Sequence, residues 1–174
     1  MVDSESSLRD HLDESRLLAM NCEYVAALDS IEAILRVYPD NLDTLRLKGN
    51  VLEQRALDEN ELTPRNLAIN RDYLDAFACY EKILGIDPRN TVALIDLGDH
   101  YQNTNAFDQA FKCYGSAMDL LEAGEERIGV ESEVRELLRT CTDLLRYPST
   151  SDRAKRLAER CEELLRSRGS TVRE

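Results

Sequence analysis

The sequence of 174 residues has no tryptophan, only four prolines and seven glycines, and no long apolar run. A membrane-spanning helix needs about 20 consecutive apolar residues, so we expect no membrane insertion. The opening stretch, MVDSESSLRDH, lacks the basic and apolar segments of a secretory signal. These absences predict a cytoplasmic protein.

Motifs for catalysis and metal binding are missing as well. The five cysteines are widely spaced and form no C-x-x-C pair, so buried free thiols are a better interpretation than disulfides or a metal site. Asp96 shares a helix face with His100, but an acid–base pair also needs a third group or a substrate pocket. No glycine-rich phosphate loop and no nucleophile motif occurs. We therefore expect no enzyme activity, no catalytic or metal-binding residues and no cofactor.

Basic residues are scarce relative to acidic ones. The chain has 22 Lys and Arg against 34 Asp and Glu, which gives a net charge of −12. Residues 1–121 carry most of the excess, because 122–174 contain 12 acidic and 11 basic residues. An acidic surface repels phosphate backbones, so we expect no nucleic-acid partner. Only four basic residues are lysine, a bias that a salt-adapted proteome or a GC-rich genome would each produce.

Apolar and small residues at helical spacing fill the centre of the chain. In the stretch 91–121, positions i, i+3, i+4 and i+7 of a first helix face hold Leu94, Leu97, Gly98 and Tyr101. Turn-prone residues follow at 103–105. A second helix face then has the same spacing, with Ala110, Tyr114, Ala117 and Leu121. This pattern predicts a helix hairpin in which glycine and alanine allow close approach.

The hairpin pattern recurs earlier in the chain, each time before a proline. Four positions lie 15, 12, 8 and 5 residues before each proline. Before Pro39 they hold Tyr24, Ala27, Ile31 and Ile34, and before Pro88 they hold Tyr73, Ala76, Tyr80 and Ile83. Cys79 and Cys113 lie 34 residues apart at equivalent points. A 34-residue two-helix repeat with these small and aromatic positions resembles the tetratricopeptide repeat (TPR) family.

The resemblance covers residues 8–121 and implies an all-α fold. The implied architecture is a right-handed superhelical array of antiparallel helix hairpins, with three TPR-like units. A linker follows at 122–130. A degenerate fourth hairpin at 131–168 would then cap the array. The polar ends, 1–7 and 169–174, are predicted to be flexible.

The second hairpin departs from the repeat pattern. Gly49 and Tyr73 are 24 residues apart, whereas Gly98 and Phe107 are nine apart, so the second unit has a 15-residue insertion. Thr63 before a proline predicts a helix start. We expect elongated helices at 42–58 and 64–85, with Leu57 and Leu67 in contact. The insertion, about 53–70, is either a projecting contact site or an extension that packs only on itself.

The resemblance implies a non-catalytic protein–protein interaction module. In TPR proteins the first helix of each hairpin lines a concave groove that holds a peptide segment or a partner helix. The corresponding positions here are Arg9, Leu12, Arg16 and Met20; Arg46, Asn50, Glu53 and Gln54; and Ile95, Asp99, Gln102 and Asn103. The partner would be an unidentified protein or peptide. The alternative is a self-assembling structural protein that acts through homo-oligomerisation.

Overall fold

The structure, a computed structural model, describes residues 2–58, 63–124 and 130–170. Its regular secondary structure within these ranges is helical throughout. The all-α, TPR-like prediction is confirmed. The chain divides into two compact units, Met1–Pro88 and Arg89–Glu174.

The first unit contains five helices in its described part. They are α1 (Val2–Met20), α2 (Tyr24–Val37), α3 (Leu42–Asp58), α4 (Pro64–Leu67) and α5 (Arg71–Ile86). Helix α1 packs on α2, α2 on α3, and α3 on α5. Most of the apolar positions predicted for α2 and α5 are buried, and Ala27, Ile31, Ala76, Tyr80 and Ile83 are all at most 1% exposed.

Asparagine side chains begin three of the helices. Asn41 accepts a hydrogen bond from the backbone N–H of Thr44 at 2.9 Å, and Asn90 accepts one from Ala93 at 2.9 Å. Asparagine is a favoured residue at this position. Asn70 is an additional cap that accepts from the N–H of Tyr73 at 3.1 Å. It begins α5, so the predicted helix 64–85 is in fact two helices.

The described part of the insertion packs against its own hairpin. Leu67 forms a small buried cluster with Ala56 and Tyr73. Leu57, predicted to contact Leu67, is instead 40% exposed. The break between α4 and α5 changes the helical phase, so Leu67 packs against the neighbouring position of α3. Residues 59–62 lie outside the described residues.

The second unit contains four helices in its described part. They are α6 (Thr91–Asn103), α7 (Phe107–Ala123), α8 (Val130–Leu144) and α9 (Ser151–Ser170). Helices α6 and α7 form one hairpin and α8 and α9 another; α8 contacts α6, and both α8 and α9 contact α7. One apolar core joins all four helices, with Ile95, Tyr114, Leu121, Leu137 and Cys161 among its members.

Two hairpin turns contain a residue in the left-handed backbone region. Cys22 has φ 62° between α1 and α2, and Asn105 has φ 60° between α6 and α7. The next N–H in each turn reaches back five residues, from Glu23 to the carbonyl of Leu18 and from Ala106 to that of Tyr101, both at 2.9 Å. This geometry is a common helix C-terminal motif. Both turns therefore have the same design, although only Asn105 is a favoured residue for it.

The chain ends are more helical than the sequence suggests. Helix α1 begins at Val2 rather than Leu8, and α9 continues to Ser170. Polar residues signal exposure and do not by themselves break a helix. The rest of the predicted tail, 171–174, and the linker residues 125–129 lie outside the described residues.

Candidate interaction groove

Two glycines in first helices are in contact with tyrosine rings of second helices. A Cβ added at Gly49 would lie 2.7 Å from Cε1 of Tyr80, and one added at Gly98 would lie 2.3 Å from Cε1 of Tyr114. Both distances are far below van der Waals contact, so only glycine fits against these rings. Both tyrosines are fully buried.

The hydroxyl of each buried tyrosine lies within hydrogen-bond distance of two acceptors on the first helix, and its single proton is shared between them. Tyr80 donates to Asn50 Oδ1 at 2.9 Å and to Glu53 Oε2 at 3.0 Å. These acceptors lie one and four residues after Gly49. Both are predicted groove residues, and the structure gives them an internal role that sequence reasoning missed.

The second unit repeats this arrangement. Tyr114 donates to Asp99 Oδ1 at 2.6 Å and to Gln102 Oε1 at 3.1 Å. Asp99 and Gln102 again follow Gly98 by one and four residues. The recurrence of polar residues at these two positions was the available sequence signal, because a buried phenol needs a hydrogen-bond acceptor.

The first hairpin lacks the glycine–tyrosine contact. Ser15 takes the place of the glycine, and Ile31 takes that of the tyrosine. Ser15 is fully buried; its hydroxyl donates to the carbonyl of His11 at 2.8 Å and is hydrogen-bonded to the hydroxyl of Ser30 at 2.9 Å. The first hairpin therefore has no buried phenol at this place, and Arg16, which follows Ser15, has no acceptor atom for one.

An open groove lies between α1 and α3, with a volume of about 480 Å³. We call it the α1–α3 groove. Its lining residues are Arg16, Ala19, Met20, Cys22, Tyr24, Leu47, Asn50, Val51, Gln54 and Asp58. The structure thus brings together four of the predicted groove residues, namely Arg16, Met20, Asn50 and Gln54.

Hydrogen bonds fix the polar wall of the α1–α3 groove. The Asp58 carboxylate accepts from the hydroxyl of Tyr24 and, at 3.2 Å, from Nε2 of Gln54. The bond to Asp58 raises the pKa of Tyr24, so the phenol remains protonated and continues to donate. Across the groove, Nη1 of Arg16 donates to Asp13 at 2.8 Å.

The remaining predicted residues of the first unit do not line this groove. Leu12 is 6% exposed and belongs to the core. Arg9 is exposed on α1, whereas Arg46 and Glu53 are half-buried on α3.

In the second unit, α8 packs on the corresponding side of α6. Ile95, a predicted groove residue, is 0% exposed and shares a core cluster with Val134 and Leu137 of α8. Asp99 lies 3.4 Å from the hydroxyl of Thr140 on α8. Ile95 is therefore inaccessible to a ligand. Its apolar character already distinguished it from the other predicted positions, most of which are polar.

The other polar groups of the second unit are partly enclosed too. Asp99, Gln102 and Asn103 are half-buried. Thr91 donates a hydrogen bond to the buried Glu133, which links the start of α6 to α8.

The cysteine and acidic side chains bear on metal binding, and the helix lengths bear on membrane insertion. All five cysteines are free, and Cys79, Cys141 and Cys161 are buried. Within 2–58, 63–124 and 130–170, no group of three or more His, Cys, Asp or Glu side chains is placed to bind a metal ion. None of the helices in those ranges has the length and apolar character needed to cross a bilayer.

Comparison with solved structures places the fold among TPR-like helical repeat proteins. The chain is similar to two structures of MamA: the RS-1 ArsTM double mutant, and MamA from residue 41 to the end from Desulfovibrio magneticus RS-1. Each alignment covers 92% of this chain and 76% of the MamA chain at 18% identity, with TM-scores of 0.60 and 0.61. This likeness concerns the fold alone. No family model and no curated protein sequence matches the chain.

Proposed function

We propose that the chain is a non-catalytic protein-interaction module that binds a peptide segment or a partner helix in the α1–α3 groove. The observation that supports this proposal is the convergence of Arg16, Met20, Asn50 and Gln54 on one open groove. The backbone framework around the groove is packed and capped, so binding would order few additional groups.

The lining of the groove suggests the chemistry of its ligand. Met20 is 80% exposed, and Leu47 and Val51 lie beside it along the groove. Methionine adapts its shape to different apolar side chains. Asn50 and Gln54 add amide groups that can hydrogen-bond to a peptide backbone. A ligand with an apolar anchor flanked by free amide or hydroxyl groups would match this surface.

Catalysis is not part of the proposed function. His100, which shares a helix face with Asp96, is 5% exposed. A general acid or base must reach its substrate, and this position offers little access. We infer that the protein acts by binding, without a cofactor.

The insertion is a second proposed contact site. Ile69, which lies between α4 and α5 near the end of the insertion, is 77% exposed, which is unusual for an isoleucine. The cluster of Ala56, Leu67 and Tyr73 supports the opposite interpretation, an extension that packs on itself. The two interpretations differ in whether Ile69 contributes to binding.

One set of matched variants tests the groove. Peptides selected from a random library on the wild-type protein would be assayed with Met20→Glu, Ile69→Glu and Val37→Glu, each of which places a charge at an exposed apolar position. We expect Met20→Glu to weaken binding by at least roughly tenfold, because it places a charge beside the anchor, and the others to leave it unchanged. Loss with Ile69→Glu instead would make the insertion the contact site. Equal binding by all three variants would contradict the proposal that the peptides bind in the α1–α3 groove.

Self-association is a second candidate function, and an exposed face of α2, which borders a cleft to α1, favours it. This face carries Ala26, Ala33 and Val37, with Val37 67% exposed. Small residues allow close helix approach, and exposed apolar side chains favour an interface. Asp29 and Arg36 lie seven residues apart on the same face and form no ion pair within the described residues. In an antiparallel two-fold pair of α2 helices, Asp29 of each copy would approach Arg36 of the other.

A charge exchange tests the α2 pairing. Asp29→Arg and Arg36→Asp should each abolish self-association, because like charges then meet across the two-fold axis. An equal mixture of the two variants should associate, because opposite charges meet again. Sedimentation measured up to about 1 mM, where even weak interfaces are half-populated, would detect both results. Lys112→Asp is a control of the same charge type on α7. A monomeric wild type, or variants that associate alone, would contradict this pairing.

A further inference from the structure

A cleft between α7 and α9 in the second unit has three arginines on one wall. Its volume is about 380 Å³, and it is lined by Phe111, Gly115, Arg153, Arg156, Leu157 and Arg160. The arginines lie at i, i+3 and i+7 of α9, so they share one face of that helix. Such a row stands out in a chain with a net charge of −12.

The two outer arginines are held in place from α7. Arg153 donates through Nη1 to Asp108 at 2.5 Å, and its guanidinium lies 5.7 Å from the ring centre of Phe111. Arg160 donates through Nε and Nη2 to Glu122 at 2.9 and 2.6 Å, and through Nη2 to Asp119 at 2.7 Å. A guanidinium has five N–H donors. Both side chains are therefore positioned in advance and still have donors to offer.

The central arginine differs from its neighbours. Arg156 is exposed and forms no hydrogen bond or ion pair within the described residues. It lies between two arginines whose positions are fixed by carboxylates. An anion that enters the cleft would meet one guanidinium that is not held by a carboxylate and two that are.

The cleft has an apolar floor with room for a ligand. Phe111 and Leu157 contribute apolar surface. Gly115 faces open space, since a Cβ built there would have no neighbouring atom within 4 Å. A larger side chain at this α7 position would occupy the cleft, so the glycine keeps it open.

The local charge balance limits the kind of anion. Arg153, Arg156 and Arg160 supply three positive charges, and the carboxylates of Asp108, Asp119 and Glu122 supply three negative ones. A doubly charged phosphate gains little attraction at a neutral site. The planar, two-bond match that a guanidinium offers is open to a phosphate and to a carboxylate alike, so it is the charge balance that favours a singly charged carboxylate. The apolar floor adds contact for a neighbouring side chain.

From these observations we propose that the α7–α9 cleft binds a peptide carboxylate that adjoins an aromatic or aliphatic side chain. The carboxylate would bind Arg156, with additional donors from the two fixed arginines, and the side chain would lie on Phe111 and Leu157. This site lies within the second unit and does not depend on the α1–α3 groove.

Side-chain NMR on the full chain tests the proposal directly. The arginine Nε–H signals and the Gly115 amide would be followed during titration with two capped dipeptides. The first, phenylalanine followed by a glutamate with an amidated C-terminus, has only a side-chain carboxylate. The second, glutamine followed by a phenylalanine with a free C-terminus, has only a terminal carboxylate. Saturable shifts at Arg156 and Gly115 are expected with at least one of them. The responding dipeptide identifies a side-chain or a terminal carboxylate as the source. The glutamine analogue of the first dipeptide, which has no carboxylate, should cause no shift.

Variants and inorganic phosphate complete the test. Arg156→Gln should weaken dipeptide binding by roughly tenfold or more, as expected for loss of a charged hydrogen bond. Arg139→Gln, at an exposed arginine of α8, should leave binding unchanged. Gly115→Leu should abolish binding while the fold remains intact by circular dichroism. No saturable shift with either dipeptide, equal binding by Arg156→Gln, or tighter binding of phosphate than of the dipeptides would overturn the proposal.

Discussion

Helices α3 and α6 hold the same place in their hairpins but have different surroundings. In both, a glycine contacts a buried tyrosine whose hydroxyl donates to side chains one and four residues further on. The position three residues before the glycine is Arg46 in α3 and Ile95 in α6. Arg46 is half-buried, whereas Ile95 is 0% exposed in the core that α8 completes.

The contrast shows that the same hairpin design occurs with its first helix either covered or exposed. The glycine–tyrosine contact holds each hairpin together in the same way, whatever covers the first helix. The neighbouring positions then determine the use of the remaining face. In α6 that face packs against α8 of its own chain, whereas in α3 Asn50 and Gln54 stay exposed. The exposed face is the better candidate for binding another molecule.

Exchanging the residue types of Ile95 and Arg46 should have the largest effect on the free energy of unfolding. Ile95→Arg would place an unpaired charge in a dry core and should lower the free energy of unfolding by about 3 kcal/mol or more. Arg46→Ile should change it by less than about 1 kcal/mol, because that position is only half-buried. Guanidinium unfolding followed by circular dichroism would measure both. Similar losses in the two variants would show that the two faces do not differ.

Adding a methyl group at the glycines should have the next largest effect. Gly98→Ala should cost about 1–3 kcal/mol, because the new Cβ would overlap the Tyr114 ring. Gly49→Ala should cost less, since its distance to Tyr80 is longer, 2.7 against 2.3 Å. Gly115→Ala is the matched control, and it should stabilise the protein by up to about 1 kcal/mol because alanine is a better helix former in open space. Thermal unfolding would rank the stabilities of the three variants. A destabilised Gly115→Ala would refute the explanation that the cost at the other glycines comes from overlap with the tyrosine rings.

Removing the tyrosine hydroxyls compares the two acceptor pairs. Tyr114→Phe should cost about 1–2 kcal/mol, because it leaves partly buried acceptors without their donor. Tyr80→Phe should cost less, because water can reach the exposed Asn50. Chemical denaturation of both variants at neutral pH would measure the difference. Equal costs would mean that the cover provided by α8 does not matter to these bonds.

The Tyr114 contact also predicts a pH dependence. Burial, together with the charge of Asp99, raises the pKa of Tyr114 in the folded protein. Because the folded state holds the proton more tightly than the unfolded state, its stabilisation is complete below the unfolded pKa of about 10 and declines as the pH rises above it. Stability measured between about pH 8 and 11 should therefore fall less steeply in Tyr114→Phe than in the wild type. Parallel curves for the two proteins would argue against this linkage.

The smallest expected effect compares the two left-handed turn residues. Cys22→Gly should raise the free energy of unfolding by up to about 1 kcal/mol, since glycine has no Cβ to strain at positive φ. Asn105→Gly should gain less, because asparagine tolerates this conformation better. Precise thermal unfolding would resolve the difference. A loss of stability in Cys22→Gly would indicate that the thiol makes a compensating contact.

Local signals in the sequence predicted local structure well. Asn41 and Asn90 were recognisable caps because each precedes a periodic apolar segment. Asn70 was missed because the apolar residues on both sides suggested one continuous helix. The missed cap divides the predicted helix in two, and the buried partners of Leu67 are Ala56 and Tyr73, whereas Leu57 is 40% exposed.

The candidate site was only partly predictable. The repeat pattern located the first-helix positions that converge on the α1–α3 groove, including Arg16 and Gln54. It could not reveal that the acceptors of Tyr80 and Tyr114 would come from the same positions, since this depends on how the two helices pack. Nor could it reveal the arginine-lined cleft, because Phe111 and Arg156 are far apart in sequence.

The sequence by itself determined the helical hairpins of this protein. The spacing of Gly49, Gly98 and their partner tyrosines encodes close helix packing, because only glycine fits against those rings. The tertiary structure decided which faces remain exposed. Exposure depends on what packs over a residue, and Ile95 is covered by a helix that begins 35 residues later, at Val130. Periodicity within one helix contains no information about such a distant partner, so the covered and open faces became distinguishable only in the folded chain.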